Sequence, residues 1–429
     1  MHNNCYDELL QYENIYLIGA CGVSMNALGE FLILIGKNVT GTDLYPHNCK
    51  DSNITIYEQN GNINIPKNTD LLIYTTVIAD NHPDIIYAKA HNIKIMHRTK
   101  LLDIIIKPYN KIFITGMSGK TSSSFYIHSI LDILKISHNS LIGEKVISNK
   151  TYHIDPNSNN MIVELNEGDM NYHIDSGGTL LITNIIDNPD HIWLFKDYNH
   201  LIDCYKDLFH NMNYIIYCYD FPILRDLLDK YHNKISFGYT DGSDLQIIAR
   251  SKSQGNTDNV LIKFKDKIYN TKCNLIGKFS ILNVVGAILA IHINLGIDIE
   301  QMLNIVSLLK HPTRRLDKCF ENDKITIFND QGLHPFEVLN SIEALRESYD
   351  NKPISVFLDI YSENRSIFKD DFLNIFTKYE YNKLGSPYRC LNNIPNMNIL
   401  DDEVAIHNFL DYASGILLYS SKGKAVNIL

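Results

Sequence analysis

The sequence predicts an α/β protein of parallel sheets with helical crossovers, arranged in three successive domains. Three observations carry this. Between residues 14 and 106 short apolar strands alternate with helical patterns, which is how a parallel sheet with helical crossovers reads. A second run of the same kind opens at "KIFITG", and a third follows the "HPTRR" junction at 311–315.

Taken in order, "IYLIG" is the first strand, and Met25, Leu28, Leu32 and Ile35 then recur at helical spacing. "NVTGTD" and "DLLIYTTVI" read as strands, "PDIIYAKAHN" as a helix and "IKIM" as a further strand, before a linker at "KPYNK" (107–111). The second domain continues through "MIVEL", "LLITNI" and "NYIIYCY", is interrupted by polar β-rich sequence over about 234–276, and closes with helices "SILNVVGAILAIHINLG" and "DIEQMLNIVSLLK". The third holds strand "KITIFND", helix "PFEVLNSIEALRESY", strand "ISVFLDI", helix "DEVAIHNFLDYA" and strand "GILLYSS". The expected domains are 1–106, 107–311 and 312–429.

Composition narrows the function classes. The chain has 429 residues, 45% of them hydrophobic and 21% charged, an ordinary balance for a globular protein with a real core. A net charge of -10 argues against a general nucleic-acid binder, which needs a basic face. Eight cysteines lie scattered with no Cys-x-x-Cys pair, so neither a zinc site nor a disulfide framework is signalled. The first residues, "MHNNCYDELLQYEN", lack the apolar stretch of a signal peptide. No apolar run is expected to reach the roughly 18 residues that span a bilayer. A cytoplasmic protein is expected, without a membrane partner.

The chemistry concentrates at "FITGMSGKTSSSFYIHSIL" (113–131), which passes from an apolar strand through two glycines and a lysine into a helix. The general phosphate-loop pattern places four residues between its first glycine and Gly-Lys-Thr, whereas Gly116 and Gly119 enclose only Met117 and Ser118. The physics survives the shorter loop. Glycines let backbone N–H groups approach an anion, and the helix N-terminus adds its positive dipole end. Lys120, read as a surface loop lysine, would reach the β/γ-phosphates, and Thr121 would hold Mg²⁺. At later strand ends, "IVELNEGD" supplies Glu164 and "TNIIDNPDH" supplies His191, both at the crevice where a nucleotide-bound Mg²⁺ needs ligands. Glu167, Asp187 and Asp190 read as solvated loop acids. In the first domain, Gly19 and Gly22 at a strand-to-helix turn, with Asp43 ending the next strand, loosely match a dinucleotide-binding turn.

Together these segments resemble the Mur ligases, the ATP-dependent amide-forming enzymes of peptidoglycan precursor synthesis. Within that family the branch that joins L-alanine to UDP-N-acetylmuramate is nearest. "GMSGKTSS" resembles the family's short Gly-Thr-His-Gly-Lys-Thr-Thr-Thr loop, and "GACGVSM" its N-terminal glycine turn. "GKNVTGTDLYP" and the long run "YTTVIADNHPDIIYAKAHNIKIMHRTKLL" resemble the next two family segments. "VELNEGD", "TNIIDNPDH", "GKFSILN", "PTRRLD" and "NDQGLHPFEV" follow in family order, so the likeness covers about residues 14–365.

The resemblance implies Rossmann-like first and third domains around a P-loop-type ATPase domain, binding UDP-sugar, amino acid and ATP respectively. It implies ATP and Mg²⁺ as cofactors, UDP-N-acetylmuramate and an amino acid as substrates, an acyl-phosphate intermediate, and a monomer or homodimer. Lys120, Glu164, His191 and Arg315 take the catalytic roles. Gly116, Gly119, Ser122, Asn283, Arg314 and Asp330 join Lys120, Thr121 and Arg315 at the nucleotide, while Gly19, Gly22, Asp43, Thr75, Thr76 and His334 meet the other substrates. The metal ligands are Thr121, Glu164 and His191.

Several positions depart from the family pattern. Cys21 and Ser24 replace glycines, Ser118 the loop histidine, Asn166 an aspartate, Phe279 and Ser280 a His-Asn pair, and Leu333 a histidine. Lys206, spaced like a metal-bridging lysine of sister ligases, reads as an exposed helix lysine. A ligase adding a peptide or another amino acid, and a non-catalytic homologue that binds UDP-sugar or ATP, are the alternative readings.

Overall fold

The computed structural model describes residues 7–49, 51–144, 147, 150–167, 174–186, 192, 195–252, 257–332, 334–349, 354–359, 368–378, 383–385, 398–399 and 415–421. They group into two compact units, Met1–Asp244 with Gly286–Met302, and Leu245–Val285 with Leu303–Leu429.

In the first unit a short α1 (Asp7–Leu10) precedes a five-stranded sheet made of β1 (Asn14–Ile18), β2 (Asn38–Asp43), β3 (Thr55–Glu58), β4 (Leu71–Tyr74) and β5 (Lys94–His97). Its order is β3-β2-β1-β4-β5 and every pairing is parallel. The central strands are continuous apolar runs because both faces are covered: Ile15, Tyr16, Leu17, Ile18, Leu71, Leu72 and Ile73 are all buried. Helices α2 (Val23–Leu34), α3 (Pro83–Ala90) and α4 (Arg98–Ile106) make the crossovers. Pro83 opens α3, where its missing N–H costs nothing.

The linker is shorter than expected, since α4 ends at Ile106 and β6 (Asn110–Thr115) begins three residues after Lys107. Lys111 accounts for this: buried, it donates from Nζ to the carbonyls of Lys107 (3.2 Å) and Tyr109 (3.0 Å) and closes the turn.

The second sheet of this unit adds β7 (Asn139–Leu141), β8 (Tyr152–His153), β9 (Asn160–Glu164), β10 (Thr179–Ile182), β11 (Tyr214–Cys218) and β12 (Lys234–Gly238), in the order β12-β11-β10-β6-β9-β7-β8. Strand β6 lies between β9 and β10, parallel to both, with Ile114 opposite Glu164 and Thr115 opposite Ile182. The chain order reverses here, so this is the switch point where α/β sheets bind ligands. Helix α5 (Lys120–Ile133) leaves β6, α6 (Tyr198–His210) links β10 to β11, and α7 (Pro222–Leu228) links β11 to β12.

Helix α8 (Lys278–Leu295) corrects one expectation. Its 18 residues, with a mean hydropathy of 1.6, are long and apolar enough to cross a membrane by length and composition. The side chains of Val284, Val285, Ala287, Ile288, Leu289, Ala290 and Ile291 are buried inside the protein, as in a core helix. The following segment, expected as one helix, divides into α9 (Ile299–Leu303) and a 3₁₀ turn at Val306–Leu308. Asn304, Ile305 and Val306, all modest helix formers, sit at the break.

In the second unit, β13 (Leu245–Lys252), β14 (Asp258–Phe264) and β15 (Lys267–Cys273) form an antiparallel meander within the stretch expected to be β-rich, 234–276. A further sheet comprises β16 (Asp317–Glu321), β17 (Ile325–Asp330), β18 (Ile354–Asp359), β19 (Lys383–Gly385), β20 (Asn398–Ile399) and β21 (Gly415–Ser421), ordered β16-β17-β21-β18-β19-β20. Only β16 runs antiparallel to its neighbour among these pairings. Helices α10 (Pro335–Ser348) and α11 (Lys369–Lys378) complete the described part, around a core that includes Phe328, Val338, Ile342, Leu345, Val356 and Phe372. The expected helix "DEVAIHNFLDYA" lies outside the described residues.

Candidate active site

The loop after β6 is shaped by two glycines. Gly116 has φ 125° and Gly119 has φ 83°, conformations that side chains resist. At Gly116 a Cβ would also fall 2.1 Å from the Thr183 hydroxyl, so the neighbouring strand end leaves room for nothing larger. Gly119 is the N-cap of α5, and no side chain caps the helix. An anion placed there would meet the first-turn N–H groups and the positive end of the helix dipole.

The loop is held from the end of β10. The Ser118 N–H donates to Asn184 Oδ1 (3.0 Å), and the Ser118 carbonyl accepts from Asn184 Nδ2 (2.7 Å) and the Thr183 hydroxyl (2.6 Å). Thr183 and Asn184 belong to the "TNIIDNPDH" segment, whose interest in the sequence lay in its acids and histidine. The structure shows its first two residues clamping the loop. Asp187, Asp190 and His191 lie outside the described residues.

Glu164 ends β9 beside this loop. Its Oε1 accepts from the Thr121 hydroxyl (3.1 Å) and its Oε2 from the Gly143 N–H (2.8 Å). Gly143 is required because a Cβ there would lie 2.5 Å from Glu164 Oε1. Nothing in the sequence marks Gly143, since its role is to have no side chain next to a residue distant in the chain. Ser122 lies on the first turn of α5 with Lys120 and Thr121.

Glu167 corrects the reading of a solvated acid. It is 4% exposed and forms an ion pair with Lys120 Nζ at 2.7 Å, while Nζ also donates to the Gly116 carbonyl at 2.6 Å. Lys120 is correspondingly not a surface lysine, with only 12% of its side chain exposed. On α6, Lys206 is exposed and pairs with Asp203 at 2.8 Å, as expected of a solvated helix lysine.

The first sheet brings its own predicted residues to one end. Gly19 (φ 73°) follows β1, Asp43 ends β2, and Thr75 and Thr76 follow β4. Asp43 accepts from the backbone N–H of Cys21 and of Tyr45, each at 2.9 Å, and so ties the two loops together. Gly22 is the N-cap of α2. His97 caps α4 by accepting the Thr99 N–H on Nδ1, and its Nε2 lies 3.4 Å from the Thr76 hydroxyl. Burial, with the Arg98 charge nearby, brings its pKa down to about 4, so the ring is neutral and Nε2 carries the proton. Ser24 and Leu28 of α2 and Arg98 and Leu102 of α4 line a small cavity with Gly143, Glu164 and Asn166. Burial lowers the pKa of Arg98 to about 10.

The remaining predicted residues lie in the second unit. Asn283 is on α8, half-buried. Asp330, at the end of β17, is fully enclosed: it accepts from the Ser341 hydroxyl (2.5 Å) and the Gln331 N–H (2.9 Å). Burial pushes its pKa up, against the opposing charge of Arg315. Arg314 has φ 62°, and its N–H donates to Asp317 (3.3 Å). His334 caps α10 in a capping box with Glu337, accepting the Phe336 N–H at 3.1 Å. Leu333 lies outside the described residues.

Two family profiles match the chain: "Mur ligase family, catalytic domain" over residues 14–110 and "Mur ligase middle domain" over 114–291. Among similar proteins, a UDP-N-acetylmuramate–L-alanine ligase of Francisella philomiragia is 26% identical over 377 residues, covering 83% of this chain and 82% of its own length. One from Vesicomyosocius okutanii is 29% identical over 384 residues, covering 85% and 80%. A solved UDP-N-acetylmuramate-alanine ligase from Thermotoga maritima superposes with a TM-score of 0.77 at 17% identity, covering 96% of each chain. A murein peptide ligase from Psychrobacter arcticus gives 0.66 at 16% identity and 95% coverage of each. With the two profiles together spanning most of the chain, and the loop, its clamp and Glu164 assembled at one switch point, the protein belongs to the Mur ligase family.

Proposed function

We propose that the protein joins an amino acid, L-alanine, to the lactyl carboxylate of UDP-N-acetylmuramate at the expense of ATP. The observation that carries this reading is the cluster of Lys120, Thr121 and Glu164 around an uncapped helix N-terminus. It gives a nucleotide phosphate backbone donors, a cation and a metal-facing carboxylate in one place. The curated relatives that align over more than four-fifths of the chain and bear this activity in their names support the choice of substrates.

The residues fit Mg²⁺. Glu164 and Thr121 offer hard oxygen donors 3.1 Å apart, and Mg²⁺ is commonly bound through one or two protein oxygens with water and phosphate completing its shell. His191 is the expected third ligand. When bound, the ion would draw charge from the transferring phosphoryl group.

The chain's own residues do the rest. The α5 N-terminus and Lys120 hold the β- and γ-phosphates, and the Asn184 clamp keeps the loop amides aimed. The lactyl carboxylate oxygen attacks the γ-phosphorus, ADP departs, and an acyl phosphate results. The amine then attacks the acyl carbon, the amide forms, inorganic phosphate leaves and the amine nitrogen loses its proton. The cavity between α2, α4 and Glu164 suits the approach of the sugar's carboxylate, because Arg98 contributes positive charge there. Residues 1–106 supply the UDP-sugar site, 107–311 the ATP site and 312–429 the amino-acid site.

The test is mass spectrometry of reactions containing UDP-N-acetylmuramate, ATP and Mg²⁺ with each of a panel of amino acids and L-alanine peptides. The expected product carries one alanine. A product bearing a peptide or another amino acid would reassign the acceptor, and no adduct across the panel would leave a binding homologue.

A further inference from the structure

We infer that His97 is a positioning residue for the sugar nucleotide: it donates to the Thr76 hydroxyl and so commits that hydroxyl to an acceptor oxygen of the ligand. This rests on the UDP-N-acetylmuramate reading proposed above.

The first sheet has its own switch point. In the order β3-β2-β1-β4-β5 the chain runs outward from β1 through β2 and β3, then returns to the other side of β1 with β4. The crevice beyond the carboxyl ends of β1 and β4 is where such a sheet takes a ligand. Gly19 follows β1 there, and Thr75 and Thr76 follow β4.

His97 ends β5 and is 8% exposed. It stands opposite Tyr74 in the β4–β5 register, and the two rings meet edge to face with centroids 5.2 Å apart. Its Nδ1 takes the Thr99 N–H at 3.2 Å. With the ring held in this way, Nε2 reaches the Thr76 hydroxyl at 3.4 Å. Because Nδ1 is the acceptor of the neutral ring, Nε2 is the donor. A hydroxyl has one proton and two lone pairs, and here His97 occupies a lone pair. Among the described residues the half-buried Thr76 hydroxyl has no other hydrogen-bond partner, which leaves its proton for a ligand. Without His97 the hydroxyl could turn either its proton or its lone pairs outward. With His97 in place the crevice presents a donor, which suits a phosphate or carbonyl oxygen. The contact is long for a hydrogen bond, as bonds in an unloaded site often are, and it should tighten when the ligand draws on the Thr76 proton.

The experiment titrates UDP-N-acetylmuramate into the full chain by calorimetry, for wild type, His97→Asn, Thr76→Val and the double variant, at a temperature where circular dichroism shows each folded. Asparagine keeps an oxygen to cap α4 but is too short to reach Thr76. His97→Asn should weaken binding about 5-fold, equivalent to one neutral hydrogen bond, and Thr76→Val about 10-fold. In the Thr76→Val background the His97 substitution should change affinity less than about 2-fold, because its target is gone. In turnover, His97→Asn should raise the KM for UDP-N-acetylmuramate and leave that for ATP unchanged, whereas a general loosening of the fold would move both. Three results overturn the inference: wild-type affinity in His97→Asn, an equal loss in both Thr76 backgrounds, or an equal rise in both KM values. If the wild-type chain itself fails to bind UDP-N-acetylmuramate, the substrate reading falls and the inference with it. Binding by wild type together with any of the three results fells the inference alone.

Discussion

Two glycine turns leave parallel strands in the first unit, and they are built to different ends. After β6, Gly116 and Gly119 open an uncapped α5, with Lys120 and a loop clamp around it. After β1, Gly19 and Gly22 open α2, which also lacks a side-chain cap, but Asp43 already takes the Cys21 N–H. At the first turn no side chain caps the helix. At the second, the Asp43 carboxylate takes the Cys21 N–H and also the Tyr45 N–H, and so braces two loops together. A strand-glycine-helix pattern thus sets a backbone, and the charge brought from elsewhere decides what the backbone can hold.

The largest effect should come from closing the first turn. Gly116→Ala puts a Cβ 2.1 Å from the Thr183 hydroxyl at φ 125°, so the loop must move. Amino-acid-dependent ADP release should fall by about 100-fold or more, as misplacement of about 1 Å does, with a loss of stability of about 1–3 kcal/mol readable in urea melts. Gly19→Ala sharpens the contrast, because it has φ 73° but open space around the new Cβ. Its cost should stay near 1 kcal/mol, with turnover nearly unchanged.

Between these lies Asp43→Ala, which frees the Cys21 and Tyr45 amides. The apparent KM for UDP-N-acetylmuramate should rise about 10-fold while that for ATP stays constant, equivalent to the one or two hydrogen bonds lost. An equal rise in both would mean that the first turn is not a separate brace.

Acid should loosen the α5 side modestly. His128 on α5 meets His138, with Nδ1 to Nε2 at 2.7 Å, and the His153 ring lies tilted against both. Burial, helped by the neighbouring rings, lowers His128 to about 4, and burial lowers His138 as well. Groups whose folded pKa is depressed contribute stability that is complete above the unfolded value near 6.5 and is lost as pH falls toward the folded value. Melting temperature should therefore decline from about pH 6.5 down to about 4. His128→Phe should flatten that decline.

Much of this was legible because it is periodic. The parallel strands and their helices in 14–106 show as apolar runs separated by helical spacing, and Lys120, Thr121 and Glu164 stand at strand ends in recognisable order. What stayed hidden acts through distance or absence. The edge strands β3 and β8, and β7 beside β8, are short, so no alternation announces them. Glu167 reads as a loop acid because its partner is Lys120, far along the chain, and Gly143 matters only for the atom it lacks.

The central claim, that the β6–α5 corner transfers phosphoryl groups, is tested most directly by Lys120→Ala in a coupled ADP-release assay with UDP-N-acetylmuramate, ATP, Mg²⁺ and L-alanine. Because Glu167 is left buried without its cation, the variant should be less stable by about 3 kcal/mol, so it is assayed where circular dichroism shows it folded. The expected result is loss of at least about 1,000-fold in rate, with UDP-N-acetylmuramate binding retained. Undiminished ADP release from the folded variant would contradict the account.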